Sequence, residues 1–243
     1  MSATLSWFLI TLTGVFIVQT LIHRTLFRVS YAIFGSGRAA FRLYALLLWP
    51  GVLLHELAHA ITALLLGVRV HRIQLTPTIY EDGSASLGEV WLRQVDFVRS
   101  SLIGAAPLVF GSAALIWIGQ NVFGSTSLIA AVDARDVNLM IGALREMITV
   151  PEGGAWLYLL LAITLTLLPS APDRHDWPYL VLFITAVLFI ATMGRIDTHP
   201  LESVLDVPLA WLAGSFSIAL IVGVPVLIVL TLLAWLLRRP RRY

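Results

Sequence analysis

The chain has 243 residues, of which 58% are hydrophobic and only 12% are charged, and its mean hydropathy is +0.88. Soluble domains carry about 25% charged residues, so this composition excludes an ordinary soluble domain and favours an integral membrane protein. The net charge of +2 gives no reason to expect nucleic acid as a partner, and the lack of cysteine excludes disulfides and thiolate-bound metals. We expect a single membrane domain over residues 1–243.

Six apolar stretches predict membrane helices, in chain order Leu5–Ile22, Leu43–Gly67, Val98–Ile118, Ala155–Leu168, Tyr179–Met193 and Pro208–Leu237. A spanning helix needs about 20 apolar residues, which the first three stretches and the last provide. The fourth and fifth are short and flank a proline-rich segment at 169–178, so they predict a membrane segment broken by a loop. The predicted fold is all-α and polytopic, with about six transmembrane helices.

Two connecting segments carry patterns of their own. Residues 69–97 alternate around Glu81-Asp82-Gly83, which predicts a small membrane-associated β-hairpin directly after the second helix. The run Val137–Ile148 is amphipathic and predicts a helix that lies along the membrane surface. A compact multi-pass chain without a targeting peptide is typical of a prokaryotic plasma membrane. A cytoplasmic C-terminus is indicated by four terminal arginines, Arg238, Arg239, Arg241 and Arg242.

The second stretch carries His55, Glu56 and His59 in the middle of a predicted membrane helix. Residues four apart lie on the same face of an α-helix, so the two imidazoles project together, with Glu56 beside them. This HExxH spacing lets two histidines bind one Zn²⁺ while the glutamate serves as general base for a water molecule. Each ionisable residue at a helix centre costs about 2.5–3.5 kcal/mol, so three without a purpose are improbable. A zinc site gives the imidazoles a partner.

Catalytic zinc commonly takes three protein ligands, and without cysteine the third must be a histidine or a carboxylate. Asp173 and Asp176 are the better candidates because both lie in the proline-rich loop, where the backbone can enter the bilayer. Either one can cap the helix that follows, which leaves the other free to bind metal. The remaining histidines considered lie near predicted membrane edges or beyond the helix, where solvated side chains are expected: His23, His71 and His199.

With these residues in view, the chain resembles the site-2 protease family of intramembrane zinc metalloproteases. Four features carry the resemblance in the family's order, over roughly residues 43 to 194, with 1–42 and 195–243 as flanking helices. They are HELAH in an early membrane helix, the hairpin Val70–Val90, the small-residue helix SLIGAAPLVFG (Ser101–Gly111), and LTLLPSAPDRHDW (Leu165–Trp177), where the family has an Asn-x-x-Pro segment followed by Leu-Asp-Gly.

The resemblance implies that His55 and His59 are zinc ligands, that Glu56 is the general base, and that an aspartate of the broken loop is the third ligand. The Pro-Ser-x-x-Asp form in this loop is similar to that of divergent members of the family. It favours Asp173, with Asp176 as the alternative. The chain departs from the family pattern at position 166, where a threonine stands in place of an asparagine that is expected to contact the substrate backbone.

The function that follows is a zinc metalloendopeptidase that hydrolyses peptide bonds within or near transmembrane segments of membrane proteins. The hairpin at 70–90 would offer an edge strand to an unwound substrate. A catalytically inactive zinc-binding relative that binds or escorts membrane clients is an alternative, motivated by the departures from the family pattern. A metal-ion transporter is the weaker one. The expected partners are the lipid bilayer and transmembrane protein substrates, whose identity the sequence does not indicate.

Overall fold

The computed structural model describes residues 3–81, 85–124, 134, 136–193 and 199–237. The tip of the hairpin at 82–84 and the terminal arginines at 238–242 lie outside these residues. In chain order the elements are α1 (Ala3–Phe34), α2 (Gly37–Leu65), β1 (Val70–Gln74), β2 (Thr78–Ile79), β3 (Ala85–Ser86), β4 (Glu89–Leu92), α3 (Phe97–Asn121), α4 (Val137–Ile148), α5 (Gly153–Leu165), α6 (Trp177–Met193) and α7 (His199–Leu236).

Four of the helices are long and apolar enough to cross a bilayer, namely α1, α2, α3 and α7. The helices α5 and α6 are also apolar, but they are shorter, as the sequence predicts for the fourth and fifth stretches. Within the described residues, the prediction of a mostly helical fold is therefore confirmed, and four candidate membrane spans are found where about six were predicted. The predicted amphipathic segment is confirmed as a helix, α4, over the same residues, Val137–Ile148.

The end of α2 turns the chain directly into the hairpin. The N–H of Gly67 donates to the carbonyl of Leu64, and that of Val68 donates to Ala63. Gly67 has a φ of +71°, so these two bonds form a Schellman motif, in which a glycine in the left-handed region stops the helix. Val68 then packs against Ala63 in a small apolar cluster. This closed helix end holds the hairpin beside α2.

The hairpin is confirmed as two nested antiparallel pairs. Strand β1 pairs with β4, and β2 pairs with β3 farther toward the tip. The register of the first pair shifts between Val70 and Arg72, so His71 forms a bulge and its side chain is exposed. Because β4 has a strand on one side only, its second edge is unpaired among the described residues.

The core joins α1, α3, α5 and α7 through apolar side chains. Its largest buried cluster contains Val15, Leu115, Phe123, Leu160, Ile163 and Phe216, and a second cluster links α1, α2 and α5 through Ile22, Leu48, Val52 and Leu165. Outward faces of α1, α6 and α7 expose large apolar residues, for example Leu182, which is 68% exposed. A bilayer covers such faces, in keeping with the composition.

Candidate metal centre

Three side chains from two distant parts of the chain meet beside α2. His55 and His59 lie one turn apart, and their ring centroids are 4.9 Å apart. Asp173 comes from the loop between α5 and α6, and its carboxylate oxygens lie 3.4 Å from His55 Nε2 and 3.1 Å from His59 Nε2. One ligand atom from each residue lies within 4.8 Å of the others. The three residues therefore form a group that can hold a metal ion.

The second ring nitrogen of each histidine donates to a backbone carbonyl. His55 Nδ1 lies 2.7 Å from the carbonyl oxygen of Thr166, and His59 Nδ1 lies 2.8 Å from that of Ile103. A carbonyl oxygen only accepts, so Nδ1 carries the proton in both rings and Nε2 of the neutral ring keeps a lone pair. Histidines that bind metals are oriented in the same way by a hydrogen bond from the second nitrogen.

The distances from the two imidazoles to the Asp173 carboxylate are compatible with a bound zinc ion. Two ligand atoms bound to one tetrahedral zinc at about 2.0–2.1 Å lie roughly 3.3 Å apart, which is close to the 3.4 and 3.1 Å found here between the imidazoles and Asp173. The Nε2 of His59 is buried and has no hydrogen-bond partner among the described residues. Its lone pair faces a carboxylate oxygen, and the two repel each other unless a cation or a proton lies between them.

Asp173 is held in place by Ser170. The Ser170 N–H and hydroxyl both donate to Oδ2 of Asp173, at 2.7 and 2.6 Å. If α5 continued as a helix, this N–H would instead donate to the carbonyl of Thr166, four residues earlier. Because α5 ends before this bond can form, the Ser170 N–H donates to the Asp173 carboxylate instead. The Thr166 carbonyl accepts from His55 and orients its ring.

Pro169 accounts for the end of α5 and for a second set of contacts. Proline has no N–H, so the carbonyl of Leu165, four residues earlier, has no helical donor. Gln19 Nε2 and His23 Nε2, both from α1, donate to this carbonyl at 2.6 and 2.9 Å, and the Tyr44 hydroxyl donates to His23 Nδ1 at 2.7 Å. The prediction that His23 is a solvated side chain at a membrane edge is therefore wrong. Both of its ring nitrogens are engaged, and neither is free to bind metal.

Two glycines let backbone segments approach the site closely. A Cβ at Gly104 of α3 would overlap the carbonyl oxygen of Asp173. A Cβ at Gly51 of α2 would overlap the carbonyl oxygen of Ala162 in α5. Any larger residue at these positions would push the ligand-bearing loop or α5 away from α2.

Glu56 lies beside the histidines and beneath the hairpin. It is 7% exposed, and a Cβ at Gly88 would lie 2.8 Å from its Cγ, so the hairpin covers the carboxylate. A cavity of about 840 Å³ is lined by Glu56, by the three metal-binding candidates, by β4, and by the polar face of α1 that contains Gln19 and His23. The site is therefore recessed, yet it opens into a space that water can enter.

The wall that β4 contributes to this cavity carries a second carboxylate. Trp91 Nε1 and the Tyr80 hydroxyl donate to the two oxygens of Glu89, at 2.9 and 2.7 Å. These hydrogen bonds, that from Trp91 first, lower the pKa of Glu89 below its usual value. Glu89 therefore stays ionised at neutral pH and keeps a negative charge in the cavity wall.

The two aspartates of the broken loop have different positions. Asp173 joins the histidines, whereas Asp176 lies outside this group and directly precedes α6. The carbonyl of Asp176 accepts the N–H groups of Tyr179 and Leu180 at 3.1 and 3.3 Å, as expected at a helix start. Of the two alternatives left open by the sequence, the structure brings Asp173 to the candidate centre.

No protein-family model matches the chain, and neither a curated protein nor a solved structure matches it. The geometry of the site and the physical chemistry of its residues therefore carry the functional argument.

Proposed function

We propose that the chain is an intramembrane zinc metallopeptidase that cleaves transmembrane segments of other proteins. The single observation that carries this proposal is the convergence of His55, His59 and Asp173 next to a buried glutamate. Three protein ligands of this kind are typical of catalytic zinc, which keeps one position open, whereas structural zinc is usually bound by four.

The chemistry divides between the metal and Glu56. Zinc held by the three residues supplies the positive charge that lowers the pKa of a water molecule and polarises a peptide carbonyl. The Glu56 carboxylate accepts the proton that the attacking water loses, and it returns this proton to the amide nitrogen as the C–N bond breaks. Its place under the hairpin keeps bulk solvent away from the carboxylate and leaves the cavity side open.

A transmembrane substrate must unwind before its peptide bonds can be reached, because a helix shields its own carbonyls. Strand β4 lines the cavity, and its second edge, which is unpaired among the described residues, offers backbone groups to an extended segment. Pairing with this edge would satisfy the hydrogen bonds that unwinding frees. We assign β4 (Glu89–Leu92), which begins in the predicted hairpin at 70–90 and extends two residues beyond it, as the substrate-pairing strand.

In this proposal α5 and α6 complete a six-segment membrane domain. Their short lengths suit two partial crossings joined by the loop at 166–176, whose irregular backbone is tolerated because it lines a wet cavity. The loop thus carries Asp173 to the depth of His55 and His59 on α2.

The first test concerns catalysis. The protein is purified in detergent, loaded with zinc and incubated with a panel of single-span membrane proteins, and products are identified by mass spectrometry. Glu56→Gln should reduce cleavage at least about 100-fold while zinc remains bound, since general acid–base catalysis contributes about 10²–10⁴-fold. Glu146→Gln, on the exposed face of α4, is the matched control and should cleave like wild type. Equal rates for Glu56→Gln and wild type would refute the peptidase.

The second test concerns the ligands. Asp173→Asn should lose zinc, measured as metal per chain after dialysis, while Asp176→Asn should retain it. One tightly held zinc without cleavage across the whole panel would favour a client-binding relative over an enzyme. Zinc uptake into vesicles that contain the protein would favour a transporter, because a transit site must release its ion.

A further inference from the structure

A proline inside a helix leaves one carbonyl without its helical donor. The N–H of residue i normally bonds to the carbonyl of residue i−4, and proline has no N–H to give. The proline ring also crowds this carbonyl and tilts it away from the helix axis. In a membrane, where water does not reach, side chains of neighbouring helices are the available substitutes.

Pro107 lies inside α3, and the carbonyl it leaves free is that of Ile103. This is the same carbonyl to which His59 Nδ1 donates at 2.8 Å. Both Ile103 and Pro107 are buried, which limits the access of water to the freed oxygen. The hydrogen bond that selects the metal-binding tautomer of His59 therefore goes to an acceptor that exists because position 107 is a proline.

Other helix prolines differ in whether a side chain donates to the carbonyl that they leave free. The carbonyl of Leu46, four residues before Pro50 in α2, accepts from the Tyr158 hydroxyl at 3.4 Å. In contrast, among the residues that the structure describes, no side chain donates to the carbonyl of Ile221, four residues before Pro225 in α7. A freed carbonyl thus does not imply a metal site. Among the prolines inside the described helices, only Pro107 frees a carbonyl that accepts from a candidate metal ligand.

We propose that Pro107 is a positioning residue of the metal centre, because it reserves the Ile103 carbonyl for His59 and so presents Nε2 of His59 to the metal. An alanine at position 107 would restore the backbone N–H. The Ile103 carbonyl would then tilt back toward the helix axis and accept from this N–H as well as from His59 Nδ1. This inference rests on the proposed zinc function but concerns a residue that contacts neither metal nor substrate.

The test compares Pro107→Ala with Pro225→Ala, which makes the same chemical change in α7. Zinc affinity is measured by competition with a chromogenic chelator in detergent, and the melting temperature is measured on the zinc-free protein. Pro107→Ala should bind zinc about tenfold more weakly, at the low end of the effect of outer-shell partners. The zinc-free melting temperature should stay within a few degrees of wild type, since the regained helical bond offsets the smaller side chain. Pro225→Ala should leave zinc affinity unchanged.

A second readout addresses the imidazole itself. In the zinc-free protein, the Nδ1 proton of His59 should show the downfield shift and slow solvent exchange of a proton that is hydrogen-bonded to a carbonyl in wild type and in Pro225→Ala, and it should lose both in Pro107→Ala. Equal zinc affinity in the two proline variants would overturn the inference, as would a weaker affinity that merely parallels a loss of stability. If the wild-type protein binds no zinc, the proposed metal centre fails instead, and this outcome is distinct from the other two.

Discussion

The surroundings of α2 and the pairing of α1 with α7 are built from different kinds of contact. Around α2, side chains donate to carbonyls that helix ends and prolines leave free, and glycines bring backbones together. Between α1 and α7, apolar side chains pack against each other, for example the rings of Phe8 and Phe216, whose centroids are 5.8 Å apart. Hydrogen bonds fix distance and direction, whereas apolar packing tolerates many shapes. The first region therefore sets the geometry of the site, and the second sets stability.

Gly104→Ala should have the largest effect on the metal centre. The added Cβ would overlap the carbonyl oxygen of Asp173, so the loop must withdraw and take its carboxylate with it. We expect zinc affinity to fall by more than about 100-fold, above the range for outer-shell partners, because a ligand is displaced.

The control for this prediction is Gly214→Ala in α7, where an added Cβ meets nothing within 4 Å. It should bind zinc like wild type in the same chelator competition. Normal zinc binding by Gly104→Ala would show that the loop can adapt, and that Asp173 is not fixed by contact with α3.

Phe216→Ala should have the opposite effect, a loss of stability without a loss of zinc affinity. Phe216 is fully buried in the apolar cluster that joins α7 to α1, α3 and α5. We expect the free energy of unfolding in mixed micelles to fall by about 2 kcal/mol. This is less than the 3–5 kcal/mol seen for Phe→Ala in water-soluble cores, because the side chain leaves the core for an apolar medium and not for water. Zinc affinity at a temperature where the variant is folded should not change. If stability and zinc affinity both fell, the two regions would not have separate roles.

These two regions also differ in how much of them the sequence predicts. Apolar runs locate the helices because burial in a bilayer depends on composition, and the spacing of His55 and His59 fixes their common face before any contact is known. The position of Asp173 depends on Ser170 within its own loop and on Gly104 in another helix. The sequence alone leaves Asp173 and Asp176 as alternatives, because no local pattern indicates that the loop packs against Gly104.

Gln19 and His23 are the clearest residues that sequence patterns miss. Their acceptor is a carbonyl more than 140 positions away along the chain. The one sequence signal is Pro169, which shows that the Leu165 carbonyl lacks a helical donor and must find another. Pro169 thus predicts that some donor reaches the Leu165 carbonyl, but tertiary packing determines which side chain provides it.

Ser170→Ala tests how much of the support for Asp173 comes from a single hydroxyl. It removes the hydroxyl that donates to Asp173 Oδ2 at 2.6 Å but keeps the backbone N–H that donates at 2.7 Å. We expect zinc affinity to fall about tenfold, at the low end for outer-shell partners, because half of the support remains. Isothermal titration with zinc measures the change.

The matched control for this loss is Thr166→Val. The Thr166 hydroxyl donates only within its own helix, to the carbonyl of Ala162 at 3.1 Å, while its backbone carbonyl serves His55. Valine keeps the shape and the carbonyl, so zinc affinity should not change. A loss equal to that of Ser170→Ala would assign the threonine side chain a role that its contacts do not suggest.

The smallest single effects are expected on α1, which belongs to both regions. Gln19 and His23 share one acceptor, the buried carbonyl of Leu165. Gln19→Leu or His23→Leu alone removes one of two donors and should lower the unfolding free energy by about 0.5–1.5 kcal/mol. The double variant leaves the carbonyl with no donor, because Pro169 supplies none, and it should cost more than the sum of the single losses.

A double-mutant cycle measures this excess, with Thr13→Val as the control on α1, since the Thr13 hydroxyl donates only to its own helix at Leu9. Strict additivity would mean that the freed carbonyl finds another donor, such as water from the cavity. In that case α1 would support the site only through its apolar face. A coupling of about 1 kcal/mol or more would instead make the polar face of α1 part of the frame that holds α5, and with it the carbonyl that orients His55.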